Sequence, residues 1–388
     1  MVGLSARERE RLCLPSHESE LSLRMANGTR QFTSYRVQHN GARGPILSRL
    51  RLVGNSSFDE VHALAQSMTW TCALVHVPFG GGTCAIGCDP KSLSEAEVEA
   101  VVRAHVRQSL AVTGAFREVL SPGLGSSPIA MDWITSEMKG EDFNAAACAT
   151  GKSIANGGLP GMESYTAFGA SLIIRQSCID HKLNWPNVRV AIQGSGKVGL
   201  ALARRLRELG CRVVALSNSM GGIFAAQGLD MAAIVEAGSL HADTRAVAIT
   251  NEELLATECD VLVPAAVESV LQEGNAGAVR AKLVVEVANL ACTPEADRIL
   301  SERRIPIVPD LLANAGGVIA AFMEWSQNLS REQYAESWIR ADIRDQIMRA
   351  YLAVRDQVRD GAITMRQAAY AQGIERVARV ERLRVPAG

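Results

Sequence analysis

A chain of 388 residues, 47% apolar and 21% charged, is long enough for two domains with full cores and has ordinary globular composition. Its formal net charge of −1 gives no electrostatic reason to expect nucleic acid or an anionic membrane as a partner. No apolar run approaches the roughly 18 residues a membrane span needs, and the mixed-charge stretch Ser5-Ala6-Arg7-Glu8-Arg9-Glu10-Arg11 is followed by no apolar signal core, so a cytoplasmic location is expected.

Residues 1–30 read as a polar, partly helical leader. From 31 to 52, and again from 70 to 77, β-branched and apolar residues alternate with polar ones, as strands of a mixed sheet do. Between them, apolar spacing of three and four from Phe58 to Met68 predicts a helix. Pro78-Phe79-Gly80-Gly81-Gly82-Thr83-Cys84-Ala85-Ile86 then reads as a glycine-rich turn, whose bare N–H groups would let a small ligand approach the main chain. Ser94 with Glu97 three places on opens another helix. The nine cysteines (13, 72, 84, 88, 148, 178, 211, 259, 292) are odd in number, scattered and mostly set in apolar runs, so they are expected to be reduced core thiols. Cys84 and Cys88 have no His/Cys pair at zinc spacing, and no metal is expected.

The pattern changes after residue 184. Val188 to Gln193 is an apolar strand that runs into Gly194-Ser195-Gly196-Lys197-Val198-Gly199, a helix to Leu209, and a second strand from Cys211 to Asn218. Strand, glycine turn, helix and strand make the first βαβ unit of a Rossmann-type fold, with the pyrophosphate on the helix N-terminus. Lys197 either adds a cation there or is a solvated surface lysine. Asn218, 19 places after Gly199, stands where an acid usually accepts from the ribose hydroxyls. An amide bonds a ribose and does not repel a 2′-phosphate, so NAD and NADP both stay open. Val261 to Val263 and Leu283 to Val287 continue the parallel sheet, and residues 343–382 are helical by periodicity.

Tyr35-Arg36-Val37-Gln38-His39-Asn40, Arg43-Gly44-Pro45, Met68-Thr69-Trp70, Pro78 to Gly82, Asp89-Pro90-Lys91, Pro264-Ala265-Ala266, Glu286-Val287-Ala288-Asn289 and Asn314-Ala315-Gly316-Gly317-Val318 together resemble the glutamate/leucine/phenylalanine/valine dehydrogenase family. The resemblance implies an α/β protein. Residues 1–183 would form a mixed-sheet substrate and oligomerisation domain, joined by helices returning over 339–388, and residues 184–338 a Rossmann-type domain binding NAD or NADP. It also implies a homo-oligomer, hexameric in the family, with a small-molecule substrate. Thr166, Ala265, Ala288, Asn289 and Asn314 fall at nicotinamide and ribose contacts.

The substrate residues depart from that pattern. Where the family carries its catalytic lysine this chain has Thr83, and where a second lysine grips the α-carboxylate it has Thr71. Leu47 stands at a third lysine position and Ala321 at a glutamate-binding serine, which implies an apolar side-chain pocket that does not take glutamate. Gly80 and Gly81 line the same loop. The paired glycines after Leu47 are Ser48 and Arg49; Arg49 either offers a bidentate guanidinium to a carboxylate or points to solvent. Asp132 lines up with the family's proton-transferring aspartate, and its flanks Met131 and Trp133 suit it to acid–base work; a surface loop aspartate is the plainer alternative.

Threonine carries no positive charge and is no base near neutral pH. Loss of a positioned acid–base group costs on the order of 10²–10⁴ in rate, so ordinary oxidative deamination should be impaired. The function expected is that of a diverged NAD(P)-dependent oxidoreductase acting on an unusual amino, imino or keto compound with an apolar side chain, using Asp132 and Thr83; the alternatives are a catalytically silent NAD(P)-binding regulatory or scaffold paralogue, partnered by an active one, and a non-redox lyase or hydrolase.

Overall fold

In the computed structural model, which describes residues 3–24, 30–358 and 361–384, Ser5 and Glu8 cap each other at the start of helix α1 (Ala6–Cys13). Helix occupies only part of the expected leader. Strand β1 (His17–Arg24) follows, paired antiparallel with β2 (Gln31–Asn40). As a mostly exposed edge strand, β1 carries little apolar alternation to betray it.

Next come β3 (Ile46–Leu52), α2 (Phe58–Leu74), β4 (Gly80–Ile86), α3 (Glu95–Arg107), β5 (Glu118–Pro122) and α4 (Pro128–Met138). The five strands form a mixed sheet in the order β1-β2-β4-β3-β5, with β3 parallel to both β4 and β5. Val61 and Ala65 of α2 pack on Val37 and Ala85. Val102 of α3, with Met131 and Ile134 of α4, packs with Leu50, Leu52, Cys84 and Ile86. Since neighbouring side chains of a strand point to opposite faces, Ala85 and Cys84 place these two clusters on opposite sides of the sheet.

Two expectations fail here. Residues 70–74 are not strand but the last turns of α2, whose residues from Ser67 to Leu74 are all buried. A helix buried all round shows no amphipathic stripe, and over a short apolar run periodicity does not separate helix from strand. The glycine-rich stretch is not a turn but the central strand β4, every residue of it buried. Its N–H groups are not bare: Gly80 donates to the Pro45 carbonyl (2.8 Å), and the glycines sit in the ladder with β2 and β3. A Cβ would lie 2.1 Å from the Asn40 oxygen at Gly80, 2.0 Å from the Thr69 nitrogen at Gly81, and 2.2 Å from Ser48 Oγ at Gly82. Close approach of strands and helix explains the three glycines.

A buried polar network pins the same strands. Arg36 Nε lies 3.3 Å from Glu118 Oε2, and Ser48 donates to Glu118 Oε1 (2.6 Å). Arg36 Nη2 contacts His105 Nε2 at 3.0 Å, which makes that nitrogen the acceptor and leaves Nδ1–H to donate to Ser34 Oγ (3.0 Å). Burial, and then the Arg36 charge, hold the His105 pKa well below its ordinary value.

The second sheet is built from β6 (Arg189–Gln193), β7 (Arg212–Asn218), β8 (Gly221–Phe224), β9 (Val247–Ile249), β10 (Val261–Pro264), β11 (Leu283–Val285) and β12 (Ile307–Val308). Its order is β12-β11-β10-β6-β7-β8-β9, parallel from β12 to β7, with β8 and β9 antiparallel. The helices with it are α5 (Tyr165–Asp180), α6 (Lys197–Glu208), α7 (Met231–Ala237), α8 (Asn251–Leu255), α9 (Glu273–Ala276), α10 (Pro294–Glu302) and α11 (Asp310–Ala313). The tail is α12 (Gly316–Ser330), α13 (Glu336–Val358) and α14 (Met365–Arg384).

Two compact units result: Met1–Met162 with Val318–Asp342 and Tyr370–Gly388, and Glu163–Gly317 with Ile343–Ala369. The chain passes from one to the other within α12, α13 and α14. Helix α5 goes with the second unit, whereas the sequence placed that boundary after residue 183. No helix among the described residues is long and apolar enough to cross a membrane.

Candidate dinucleotide site and substrate face

In the second unit the strand β6 ends at Gln193 and the chain turns through Gly194, with φ +111°. A Cβ there would meet Ala265 and Ala266 backbone at 2.9 Å, and one on Gly199 would lie 1.8 Å from the Gly194 oxygen. These glycines allow the tight turn and the close seating of α6. Gly196 differs: nothing lies within 4 Å of where its Cβ would be, and as the N-cap of α6 it supplies no side-chain acceptor. The first N–H groups of α6, from Lys197 and Val198 onward, therefore face an approach that a phosphate fits, with the positive end of the helix dipole behind them.

The carboxyl ends of β6 and β10 bring further residues to this turn. Ala265 donates to the Gln193 carbonyl (2.8 Å) and Ala288 to the Pro264 carbonyl (2.9 Å). Asn314 Nδ2 donates to Asn289 Oδ1 (2.8 Å), and Gly317 is packed on Thr166, whose Oγ1 would lie 2.5 Å from an added Cβ. Asn218, exposed at the end of β7, accepts from the Met220 N–H (2.8 Å), which orients its amide. Two buried oxygens here, Gln193 Oε1 and Ser217 Oγ, have no hydrogen-bond partner among the described residues. Ser195 is half-buried in the turn. Lys197 is neither a free cation nor merely solvated: its ammonium lies 2.7 Å from Glu163 Oε1 in an exposed pair.

In the first unit Leu47, Arg49, Thr71, Gly80, Gly81 and Thr83 lie on β3, α2 and β4, while Ala321 lies in α12 and Asp132 in α4. Register places Leu47 beside Gly81 and Arg49 beside Thr83. Leu47, Thr71, Thr83 and Ala321 are each 4% exposed or less. The Thr83 hydroxyl donates to its own neighbour's carbonyl, Gly82 O (2.9 Å). Arg49 does not simply point to solvent: it is half-buried, and its charge, with that of Arg43, acts on the Cys72 thiol next to Thr71. Burial nevertheless pushes that thiol up to about 12. Asp132 lies in α4 rather than a loop, half-buried, where Oδ1 accepts from the Ser153 N–H and from Asn156 Nδ2, both at 3.1 Å. Its Oδ2 has no partner among the described residues.

No other lysine of this unit takes over. Lys91 and Lys139 are exposed, and the fully buried Lys152 is spent on the Ala149 carbonyl and Glu324 Oε1, both at 2.6 Å. Among the described residues no group of three or more His, Cys, Asp or Glu could hold a metal. All nine cysteines are free, and all but Cys13 are buried.

Residues 157–384 match Glutamate/Leucine/Phenylalanine/Valine dehydrogenase, and residues 16–140 match the Glu/Leu/Phe/Val dehydrogenase dimerisation domain. The chain belongs to the glutamate/leucine/phenylalanine/valine dehydrogenase family. It is 36% identical over 373 residues to an NAD-specific glutamate dehydrogenase of Staphylococcus aureus, covering 94% of this chain and 89% of that one. A cryptic catabolic NAD-specific glutamate dehydrogenase of Bacillus subtilis is 34% identical over 377 residues, covering 94% and 87%. Among solved structures, the hetero-hexameric glutamate dehydrogenase of Thermus thermophilus in its leucine-bound form superposes with a TM-score of 0.93 at 34% identity, covering all of this chain and 94% of that one.

For a Glu/Leu/Phe/Val dehydrogenase the contrast between the halves is sharp. The nucleotide side has its turn, open Gly196 and asparagine pair. The substrate side has leucine and two threonines at the positions where the resemblance expects lysine. Arg43, whose Nη1 is buried without a hydrogen-bond partner among the described residues, entered the sequence reading only as part of a motif, and nothing in its neighbours announced where the guanidinium would lie.

Proposed function

We propose that this chain is a catalytically silent, dinucleotide-binding subunit of a glutamate dehydrogenase assembly, working beside a catalytically active paralogue. The observation that carries the reading is Thr83, buried in β4, its hydroxyl turned back onto the Gly82 carbonyl. At that position the family's chemistry calls for an ammonium of lowered pKa, and Lys152, the buried lysine of the same unit, is held by Glu324 instead. A bound nicotinamide would supply a hydride acceptor. This chain's residues would hold the dinucleotide through the α6 N–H groups, Gly196 and the Asn289–Asn314 pair, and leave the acid–base step without a lysine. The likeness to a hetero-hexameric enzyme supports a mixed assembly, and the relatives described as NAD-specific support NAD as the dinucleotide.

A second reading keeps Asp132 at work as proton donor and acceptor in a diverged oxidoreductase for apolar amino or keto compounds. Its free Oδ2 favours it; the burial of Thr71 and Thr83 does not. Calorimetric titration with NAD, followed by NADH absorbance with a panel of amino and 2-oxo acids, separates the two. The silent reading expects binding without turnover, and co-purification with an active glutamate dehydrogenase chain. Steady turnover of any of those acids by the purified chain alone overturns it.

A further inference from the structure

Directly after β11 the chain runs through Glu286-Val287-Ala288-Asn289-Leu290-Ala291-Cys292, a loop that carries two of the nucleotide candidates, Ala288 and Asn289. Carboxylates hold it at both ends. Glu286 Oε1 accepts from the Cys292 N–H (2.8 Å), which closes the loop on itself, and Asp310 Oδ2 accepts from the Leu290 N–H (2.9 Å). Leu290 sits at φ +48°, a left-handed conformation that leucine keeps only where its surroundings impose it. Asp310 also donates its own N–H to Glu286 Oε2 (3.3 Å), and four residues on, Asn314 donates to Asn289.

Both of these carboxylates are out of water, Glu286 at 0% exposure and Asp310 at 1%. Two anions buried together need a cation. It comes from the second residue of α14. Arg366 Nη2 lies 2.8 Å from Glu286 Oε2, Nη1 lies 3.8 Å from Asp310 Oδ1, and Nε donates to Asp297 Oδ1 of α10 (3.0 Å). Asp310 Oδ1 has no hydrogen bond among the described residues, so the nearby guanidinium is what offsets its charge. Three carboxylates facing three nitrogens of one planar fork is an arrangement that the single ammonium of lysine does not reproduce. Burial is the largest cause that raises the Glu286 pKa, Arg366 opposes it, and the Asp310 charge adds to the rise. Cys292, which also faces Glu286, is a neutral thiol, its pKa pushed up by burial. All of these residues belong to the second unit.

We propose that Arg366 is a positioning residue for the dinucleotide: by holding Glu286 and Asp310 it keeps the loop over 286–292 set so that Ala288 and Asn289 stand ready for the nicotinamide ribose. Arg366 acts through the two carboxylates. The inference rests on the proposed function only in that this unit binds NAD; turnover plays no part in it.

The test is calorimetric titration of the full chain with NAD between about pH 6.5 and 8.5, on the parent, Arg366→Gln and Arg366→Lys, at a temperature where circular dichroism shows each folded. Arg366→Gln should weaken NAD by about tenfold at the alkaline end. The loss should grow as the pH falls, because a carboxyl without its guanidinium takes up a proton at higher pH and offers the Cys292 and Asp310 N–H groups a weaker acceptor. Arg366→Lys, with one charge and no fork, should recover part of the affinity and a pH profile closer to the parent's. Equal NAD affinity in Arg366→Gln and the parent overturns the positioning role and leaves the dinucleotide reading standing. A loss that is the same at every pH assigns Arg366 to the stability of the unit alone and overturns the role as well. Where Arg366→Gln does not fold, the lysine variant carries the test: NAD weaker by about threefold or more is expected, and parental affinity overturns the role. A parent that gives no saturable heat with NAD overturns the dinucleotide reading, and this inference with it.

Discussion

Thr83, buried, and Arg49, half-buried, lie side by side in neighbouring strands, so a lysine at 83 brings two cations into one register pair. Like charges in such a place disfavour each other's charged form. Thr71→Lys with Thr83→Lys is therefore expected to give no more NADH from apolar amino acids than the parent, and adding Arg49→Gly is expected to raise the rate at least about tenfold. Absorbance assays on the double and triple variants check this, and full activity in the double variant would refute it. His39 sets a pH dependence of its own. Its Nε2–H donates to the Leu12 carbonyl and its Nδ1 accepts from the Thr69 hydroxyl, both at 2.9 Å. Burial is the main cause that lowers its pKa to about 4, below the ordinary 6.5. The unfolded chain thus binds this proton more readily than the folded one, so stability is present above about pH 6.5 and falls as pH drops towards 4. The loss at the low end is on the order of 3 kcal/mol. Urea denaturation between pH 7 and 4 should show it, and His39→Asn should flatten the slope. At Lys152 the expectation is simpler. Lys152→Met leaves Glu324 buried without its cation and should cost about 3–5 kcal/mol in the same assay.

At the scale of elements, the glycines of the second unit divide by what surrounds them. Gly196→Ala enters open space at a φ of −66°. It should leave the melting temperature nearly unchanged while weakening NAD by about tenfold or more, because the methyl stands where the pyrophosphate approaches. Gly199→Ala collides with the Gly194 carbonyl and should lower the melting temperature itself. Thermal melts with and without NAD separate the two effects. These turns were legible in the sequence because strand, glycines and helix occur in a fixed order that the βαβ unit demands. The capping pair Ser94 and Glu97 was legible for a similar reason, a local reciprocal bond. Helix α2 was not fully legible: from Ser67 onward every side is buried, so its last turns read as strand. Strand β4 was misread because its glycines answer to Asn40, Thr69 and Ser48, contacts remote in sequence. The substrate face was legible only as departures from a family pattern. That Arg49 is half-buried, its charge acting on the Cys72 thiol, depends on side-chain direction, which spacing does not record.

For the whole molecule, the two sheets carry separate cores and separate tasks. The second unit holds the features a dinucleotide needs, and NAD at about 100 times its Kd should stabilise the chain by about 2.7 kcal/mol. In a mixed assembly with an active glutamate dehydrogenase chain, NADH production should scale with the number of partner chains alone. Reconstitution at several ratios, with turnover read per partner chain, measures this. A rate that scaled with total protein would assign turnover to this chain as well.

The three adjacent glycines of β4 have an implication for interpreting kindred sequences. Since each is demanded by a neighbouring backbone or hydroxyl, mutation away from glycine is barred by sterics whether or not any reaction takes place there. A chain can shed its chemistry and still be compelled to keep that signature. The motif therefore certifies architecture, and on the silent-subunit reading it is the identities at positions such as 71 and 83 that report on turnover.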